Sequence, residues 1–442
     1  MKLQKTVKMY VSQGKNMLEF IPVKLRLPLK FGAEIIDSLK IAHVELPAYG
    51  AIGRGETPLS AAWAWPGEES FTYRENMMTE FCKFIAGNYP VPANGDDPMS
   101  AGYKFLTGKL DGLLEKFNAL NKCNMPHLAA LICVSAFDIA LHDAWGLAND
   151  LPTYKMYNRN FMTHDLAWFY NDPQFAGLYP EDFFVRELPS TLPVWHLVGG
   201  KDLLTPAELT GSEPVDGFPV TLLEWIKRDG LTCLKIKLTG RDAKWDYERL
   251  TAVGTIALQY GCKAISPDFN CLVTDPQYVD DILDKLALEH PEISEILLYV
   301  EQPFPYDLEN NRIDVHSCSN RKPLFMDESA HDWQLVRLGL SLGWNGVALK
   351  VCKTQTGALL SACWAKQHDM QLMVQDLTNP MLATVPHIQL AAHVGTIMGV
   401  ECNAPQFCPE ASLPDEKIRP GVYERRNGQV RLDHLKGNGL GY

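Results

Sequence analysis

Charged residues end the apolar runs in the second half of the chain at nearly regular intervals. They are Lys235 with Lys237, Asp268, Glu301, Asp327 with Glu328, Lys350, and Asp376. From Lys237 the successive steps are 31, 33, 26, 23 and 26 residues, and each step is the length of one strand and one helix. Charged side chains at the ends of buried strands are costly without partners. The spacing therefore predicts that these side chains converge on one site.

The chemistry of the set indicates a metal centre flanked by bases. Crowded carboxylates on three consecutive strands repel one another unless a cation lies among them, and hard oxygen ligands suit Mg²⁺, with Mn²⁺ as a substitute. Lysines precede and follow the carboxylates along the chain. A lysine near a divalent cation and other ammonium groups has a lowered pKa and becomes a usable base near neutrality. Two such bases suit removal of a proton from one face of a carbon and its return to the other.

The elements that carry these residues repeat a strand–helix rhythm. From about residue 192, short apolar runs such as TCLKIKL and EILLYVEQP alternate with amphipathic stretches, and PVWHLVG at 193–199 brings the number of runs to eight. Such alternation indicates βαβ units and a parallel sheet. Eight units favour a closed (β/α)8 barrel of the TIM type over an open doubly wound sheet, and no GxGxxG follows an early strand. In such a barrel all strands open onto one face at their carboxyl ends, which is where the charges would meet.

The first half of the chain has a different texture. Residues 18–60 alternate as antiparallel strands do, and helical patterns follow at about 70–86, 99–120 and 127–148. The aromatic segment at about 150–190 shows little periodicity, which predicts an irregular insertion or linker.

Composition limits the class of protein. The 442 residues are 46% hydrophobic with a formal charge of −12, which excludes a disordered chain and makes nucleic acid and anionic membranes poor partners. Eleven cysteines without a CxxC pair predict buried thiols rather than disulfides. No signal-peptide-like run and no stretch of eighteen apolar residues is present. We therefore expect a cytoplasmic protein that does not span a membrane.

At the charged strand ends the sequence resembles the enolase superfamily, and more closely its mandelate racemase/muconate-lactonizing branch. The matching motifs are Leu-Lys235-Ile-Lys237-Leu, Asp268-Phe-Asn270, Glu301-Gln-Pro, Asp327-Glu328-Ser and Leu-Lys350-Val. In addition, SAFDIALHDAWGLANDLPTYKMYN looks like the helix that leads into the barrel in that family. The resemblance covers nearly the whole chain except 150–190 and the tail after about 410.

The resemblance implies an α+β capping domain over a modified barrel. The chain would then divide into a cap at 1–150, the insertion or linker at 151–190, a catalytic barrel at 191–410, and a tail at 411–442 packed on the cap. We also expect a homo-oligomer.

The resemblance also implies roles for the charged residues. Mg²⁺ would be bound by Asp268, Glu301 and Asp327. Lys237 would be one acid/base, Lys350 the base on the opposite face, and Lys235 a stabiliser of negative charge. Members of this family share a first step, the removal of the proton α to the carboxylate of a small substrate. This step would give an enediolate that the metal stabilises. Supporting residues would be Asn270, Glu328, which we expect to pair with a lysine, and Asp376.

Departures from the family pattern keep the reaction open. A His–Asp dyad of the dehydratases and of mandelate racemase is absent, and only Glu401 stands where dipeptide epimerases carry Asp-x-Asp. Residues 27–35 and 55–67 match the specificity loops of the family's cap, which makes Phe31, Trp63 and Trp65 candidates for substrate contact, with Glu401 as a further candidate. Packing inside the cap is the alternative for Trp63 and Trp65. We interpret Lys353 as a surface or helix-start residue and His387 as structural.

Racemisation or epimerisation by two lysines is the first hypothesis, because bases are available on both sides. Acid-sugar dehydration and cycloisomerisation need the same apparatus and stay open. A Schiff-base barrel enzyme that uses Lys237 or Lys350 as nucleophile, or a non-catalytic barrel, would leave the carboxylates unexplained.

Overall fold

The computed structural model describes residues 8–10, 17–31, 34–90, 92 and 95–442. The strands are β1 Lys8–Tyr10, β2 Met17–Phe31, β3 Glu34–Ala48, β4 Ala51–Pro58, β5 Thr191–Val198, β6 Cys233–Lys237, β7 Ala264–Asp268, β8 Val300–Glu301, β9 Leu324–Met326, β10 Gly346–Leu349, β11 Gln371–Val374, β12 Val400–Glu401 and β13 Gln429–Arg431. The α-helices are α1 Ala61–Ala64, α2 Phe71–Ala86, α3 Pro98–Gly108, α4 Leu110–Asn121, α5 His127–Ala148, α6 Leu166–Tyr170, α7 Leu222–Asp229, α8 Ala243–Gln259, α9 Pro276–Glu289, α10 Pro291–Ile296, α11 His316–Ser319, α12 Trp333–Leu342, α13 Gln355–Gln367, α14 Thr384–Val394, α15 Ala404–Phe407 and α16 Leu413–Ile418.

The N-terminal part is an antiparallel sheet covered by helices. Strands β1 to β4 pair in chain order, and β4 lies directly against α5. The close approach requires glycine, because a Cβ on Gly55 would lie 2.1 Å from the carbonyl oxygen of Ala136. The single helix predicted at 99–120 is two helices, α3 and α4. They divide at Lys109, whose φ of −132° breaks the helical path.

Helix α5 is the central element of this part. Its 22 residues are apolar nearly all round, with a mean hydropathy of 1.5 over the most apolar window, and that window is wholly buried inside the protein. By length and composition alone it is a helix that could cross a membrane. The burial of Leu128–Gly146 among other elements is what the core helix of a globular domain shows.

The second half forms the predicted parallel barrel. Among the described residues the sheet runs β11-β10-β9-β8-β7-β6-β5-β12, all parallel, and β13 adds antiparallel to β5. At the seam between β11 and β12, the Ile397 amide donates to the Leu372 carbonyl at 2.9 Å. The TIM-type barrel with an N-terminal α+β domain is therefore confirmed, and its last strand is followed by the short helices α15 and α16.

The segment between the two parts is compact despite its irregularity. It contains α6 and three short 3-10 turns, and Phe169 and Phe175 are buried. The Tyr170 hydroxyl donates to the carbonyl of Leu360 in α13 at 2.6 Å. Residues of the C-terminal tail contact both parts: β13 pairs with β5, whereas the Leu440 amide donates to Asp143 of α5 at 2.9 Å.

Helix α5 is hydrogen-bonded to the chain that follows β10. The Ser135 hydroxyl donates to the Val351 carbonyl at 2.8 Å. The Asp138 carboxylate accepts from the Thr356 amide at 2.8 Å and from its hydroxyl at 3.0 Å. His142 contacts the same hydroxyl at 2.9 Å. These bonds hold residues 351–356 against the N-terminal part.

All eleven cysteines lie within the described residues and are free thiols, nine of them buried. This is the arrangement predicted from eleven cysteines without a CxxC pair.

Candidate active site

Parallel register brings the predicted charges side by side. Lys237 on β6 is opposite Asp268 on β7, and Asp268 is opposite Glu301 on β8. Asp327 directly follows β9 and Lys350 directly follows β10. Successive residues of a strand point to opposite faces, so Lys235 and Lys237 point the same way. The strand-end charges therefore converge, as the spacing predicts.

Lysine ammonium groups lie among the three carboxylates. Lys235 Nζ contacts Glu301 Oε1 at 2.5 Å and Asp268 Oδ2 at 3.3 Å. Lys237 Nζ donates to the same Asp268 oxygen at 2.5 Å. On the other side, Lys350 Nζ lies 3.3 Å from Asp327 Oδ2. The row of carboxylates is thus flanked by Lys237 at one end and Lys350 at the other. Lys235 bridges Asp268 and Glu301 within the row.

The electrostatics of this cluster favour the charged form of Lys235, Lys350 and Asp268, whereas burial raises the pKa of Glu301 well above its ordinary value. Burial lowers the pKa of Lys235 and Lys350, but the surrounding carboxylates, Glu301 first for Lys235 and Asp327 first for Lys350, more than offset it, so each pKa lies above its ordinary value. Burial raises the pKa of Asp268, and Lys237 and Lys235 reverse that change to leave a net lowering. In this arrangement the two lysines are ammonium groups.

Charge and donor type fit a divalent cation. Among the described residues, the cluster contains six carboxylates and four lysines, so the fully ionised set has two negative charges in excess. These are Asp268, Glu301, Asp327, Glu328, Asp376 and Glu401 with Lys235, Lys237, Lys350 and Lys353. The Lys235 ammonium already bridges two of the three proposed ligands, which shows that the pocket accommodates positive charge. As the side chains stand, no three acidic, histidine or cysteine residues of the described chain are arranged to bind a metal.

The predicted supporting residues differ in their contacts. The side-chain Oδ1 of Asn270 accepts from Lys237 Nζ at 2.9 Å. Glu328 has no ion pair with another described residue, and its Oε2 lacks a hydrogen-bond partner among them. The expectation that Glu328 pairs with a lysine is therefore wrong. Burial, then Asp327 and Asp268, raise its pKa to about 7.

Asp376 and Glu401 form the wall at the β11–β12 side. The Asp376 carboxylate accepts from the backbone amides of Asn379 at 2.7 Å and Asn403 at 2.5 Å, so it stabilises the chain around the site. Its carbonyl oxygen accepts from Lys350 at 3.0 Å. Glu401 Oε2 lies 3.4 Å from Lys235 Nζ. His387 donates from Nε2 to the Glu401 carbonyl at 2.7 Å, which is a structural contact.

Trp63 of the N-terminal part covers the lysines at one end of the row. Its ring centroid is 5.3 Å from Lys350 Nζ and 5.5 Å from Lys353 Nζ, within the range of cation–π attraction. Trp63 and Trp65 both belong to the buried core of the N-terminal part, and the Trp65 carbonyl accepts from Arg74. The side chain of Phe31 and residues 32–33 lie outside the described residues.

Two residues of the charged cluster were missed or misread in the sequence. Lys353 is not at the surface: it is 3% exposed, donates to the Asp327 carbonyl, and lies 3.4 Å from Asp327 Oδ1. Residues 351–353 form a 3-10 turn, in which residues three apart align. The Lys-x-x-Lys spacing was the available signal. Gln375 donates to Glu301 and to the Tyr299 hydroxyl, and accepts from Lys235 at 3.4 Å. It carries no charge that would mark it in the sequence.

Comparison with known proteins supports the fold. Residues 220–442, just over half of the chain, match the family model described as enolase C-terminal domain-like. A mandelate racemase/muconate lactonizing protein from Herpetosiphon aurantiacus is similar in structure, with 16% identity, 98% coverage of both chains and a TM-score of 0.64. A search of curated proteins finds no match to the sequence.

Two further solved structures belong to enzymes with different reactions. A dipeptide epimerase from Enterococcus faecalis V583, complexed with Mg and a dipeptide, shares 17% identity over 97% of this chain and 98% of its own, with a TM-score of 0.60. A muconate lactonizing enzyme from Pseudomonas fluorescens, complexed with muconolactone, shares 15% identity over 97% and 95%, with a TM-score of 0.62. At these identities the likeness establishes the fold. The mandelate racemase/muconate-lactonizing resemblance is confirmed, and the chain belongs to the enolase C-terminal domain-like family.

Proposed function

We propose that the protein is a Mg²⁺-dependent enzyme that removes the proton α to the carboxylate of a small substrate, and that it is a racemase or epimerase. The observation that carries the proposal is the flanked row of carboxylates. Lys237 contacts Asp268 at one end, and Lys350 contacts Asp327 at the other. Their strands are separated by the three strands that carry the carboxylates.

The proposed metal ligands are Asp268, Glu301 and Asp327. When bound, Mg²⁺ would act as a Lewis acid toward the substrate carboxylate, and its charge would oppose the carboxylates that raise the pKa of Lys235 and Lys350. The dipeptide epimerase complexed with Mg shares this fold, which supports the choice of metal.

The chain's own residues supply the proton transfers. A neutral Lys237 would accept the α-proton from one face of the substrate, and the Lys350 ammonium would return a proton to the other face. Asn270 orients Lys237 through its 2.9 Å contact. Lys235 provides fixed positive charge, because its ammonium has four acceptors within 3.4 Å. Trp63 excludes water from the Lys350 side.

Single-base chemistry is the second candidate, because the two lysines differ in access. The Lys350 side chain is 3% exposed under Trp63, whereas the Lys237 side chain is 12% exposed. If substrate reaches Lys237 alone, the same site would carry out a cycloisomerisation or a dehydration.

Hydrogen exchange in D₂O tests both candidates. The full chain with Mg²⁺ is incubated with acid sugars, N-acyl amino acids, dipeptides and lactones, and α-deuterium is followed by NMR. Two-base racemisation predicts that Lys237→Ala abolishes exchange from one enantiomer and Lys350→Ala from the other. Lys244→Ala, at an exposed position of α8, is the matched control and should exchange normally.

Each other outcome has a distinct meaning. Loss of all exchange in Lys237→Ala, with exchange retained in Lys350→Ala, would establish the single-base candidate. A substrate that is turned over without any α-exchange would show that the proposed mechanism is wrong.

A further inference from the structure

Gln302 lies between two of the proposed metal ligands and has an unusual backbone conformation. It follows Glu301 directly and is fully buried. Its φ is +31°, a value that side-chain-bearing residues rarely adopt. Such conformations persist where the surrounding contacts over-determine them, and they concentrate at functional sites.

The side-chain amide of Gln302 is directed at the chain around Asp327. Its Oε1 accepts from the Asp327 amide at 2.7 Å, from the Ser329 amide at 3.2 Å and from the Ser329 hydroxyl at 2.8 Å. Its Nε2 donates to the Phe304 carbonyl at 2.9 Å. Both ends of this buried amide are therefore satisfied.

The backbone of Gln302 joins the neighbouring strands. Its amide donates to the Phe325 carbonyl on β9 at 2.9 Å, and its carbonyl accepts from the Cys271 amide after β7 at 2.9 Å. One residue thus links the chain segments that carry Asp268, Glu301 and Asp327.

We infer that Gln302 is a positioning residue that sets the orientation of Asp327 relative to Glu301, and so the geometry in which the carboxylates bind a divalent cation. The inference rests on the proposed function, because it presumes that these carboxylates are metal ligands. An alternative packing role would be served by any side chain of similar size. The three donors that meet on Oε1 require an acceptor at this point, and the strained φ places it there.

The test measures metal affinity rather than turnover. Gln302→Met keeps the volume and removes the hydrogen bonds, whereas Gln302→Gly removes the side chain and accepts the positive φ without strain. For both we expect Mg²⁺ affinity, measured by isothermal titration calorimetry on the full chain, to fall by about 10- to 100-fold, the range found for groups that orient metal ligands. The EPR spectrum of bound Mn²⁺ should also change.

Ser329→Ala is the matched control. It removes one donor to the same oxygen but leaves the 2.7 Å bond to the Asp327 amide, so its affinity should stay close to that of the unmodified chain. Circular dichroism establishes that each variant is folded, and Gln302→Gly provides a strain-free variant if Gln302→Met does not fold.

The outcomes separate this inference from the proposed function. Unchanged Mg²⁺ affinity in folded Gln302→Met or Gln302→Gly, with binding abolished by Asp268→Asn, overturns the role of Gln302 alone. An unmodified chain that binds no Mg²⁺ overturns the proposed function and this inference with it. Weaker binding in both Gln302 variants, with Ser329→Ala unaffected, supports the positioning role.

Discussion

The buried carboxylate of Asp138 should make the stability of the protein fall as pH rises. Asp138 joins α5 to Thr356, and burial raises its pKa from 3.8 to about 6, although hydrogen bonds from Thr356 and Tyr89 oppose the rise. At 1.36 kcal/mol per pH unit, this difference corresponds to roughly 3 kcal/mol. The folded state binds the proton more tightly than the unfolded state. The contribution of protonated Asp138 to the free energy of unfolding is therefore fully present below pH 3.8 and is lost as pH rises through about 6.

Asp138→Asn isolates this contribution, because an amide keeps the shape and cannot lose the proton. Urea unfolding followed by tryptophan fluorescence gives the free energy of unfolding of both proteins. Between about pH 5 and about pH 7.5, we expect the variant to gain roughly 1 kcal/mol relative to the unmodified chain. Asp281→Asn, at an exposed position of α9, should show no such gain. A difference between Asp138→Asn and the unmodified chain that stays constant with pH would refute the reasoning.

Two further substitutions test packing. Trp63→Ala should lower the free energy of unfolding by about 3–5 kcal/mol, because it leaves a cavity above Lys350. Trp63→Phe should lower it by less. Equal losses of the two variants in urea unfolding would contradict the packing role of the indole ring. Gly55→Ala should destabilise the protein by about 1–3 kcal/mol, since its Cβ would overlap the carbonyl of Ala136. Gly67→Ala, whose Cβ meets open space, is the control for Gly55→Ala in thermal unfolding. Equal midpoint temperatures for the two variants would count against the close approach of β4 and α5.

The barrel and the convergence of its charged residues can be predicted from the sequence, because both follow from local patterns of strand spacing and side-chain alternation. The parallel strands of a barrel bring their carboxyl ends to one face, and a two-residue period keeps Lys235 and Lys237 on the same side. The motif residues therefore meet as the spacing predicts. Their roles in catalysis and metal binding stay predictions.

Other contacts depend on positions that no local pattern encodes. The position of Lys353, three residues beyond Lys350 and past the strand end, predicts a surface or helix-start residue. A 3-10 turn and the cover of Trp63, nearly 300 residues earlier in the chain, bury it instead. Glu328 forms no ion pair with a lysine among the described residues, where the nearby ammonium groups contact Asp268, Glu301 and Asp327 instead. The division at Lys109 depends on backbone angles that the periodicity of 99–120 does not reveal.

The bonds between α5 and residues 351–356 bear on how caps and barrels recombine among relatives. A chimera that joins the cap of one homologue to the barrel of another would have to match Ser135, Asp138 and His142 with the chain around Thr356, or leave buried donors without acceptors. The two parts are therefore not freely interchangeable modules. Replacing only a loop of the existing cap leaves these hydrogen bonds in place, whereas exchanging the whole cap would remove the hydrogen-bond partners of the chain that follows Lys350.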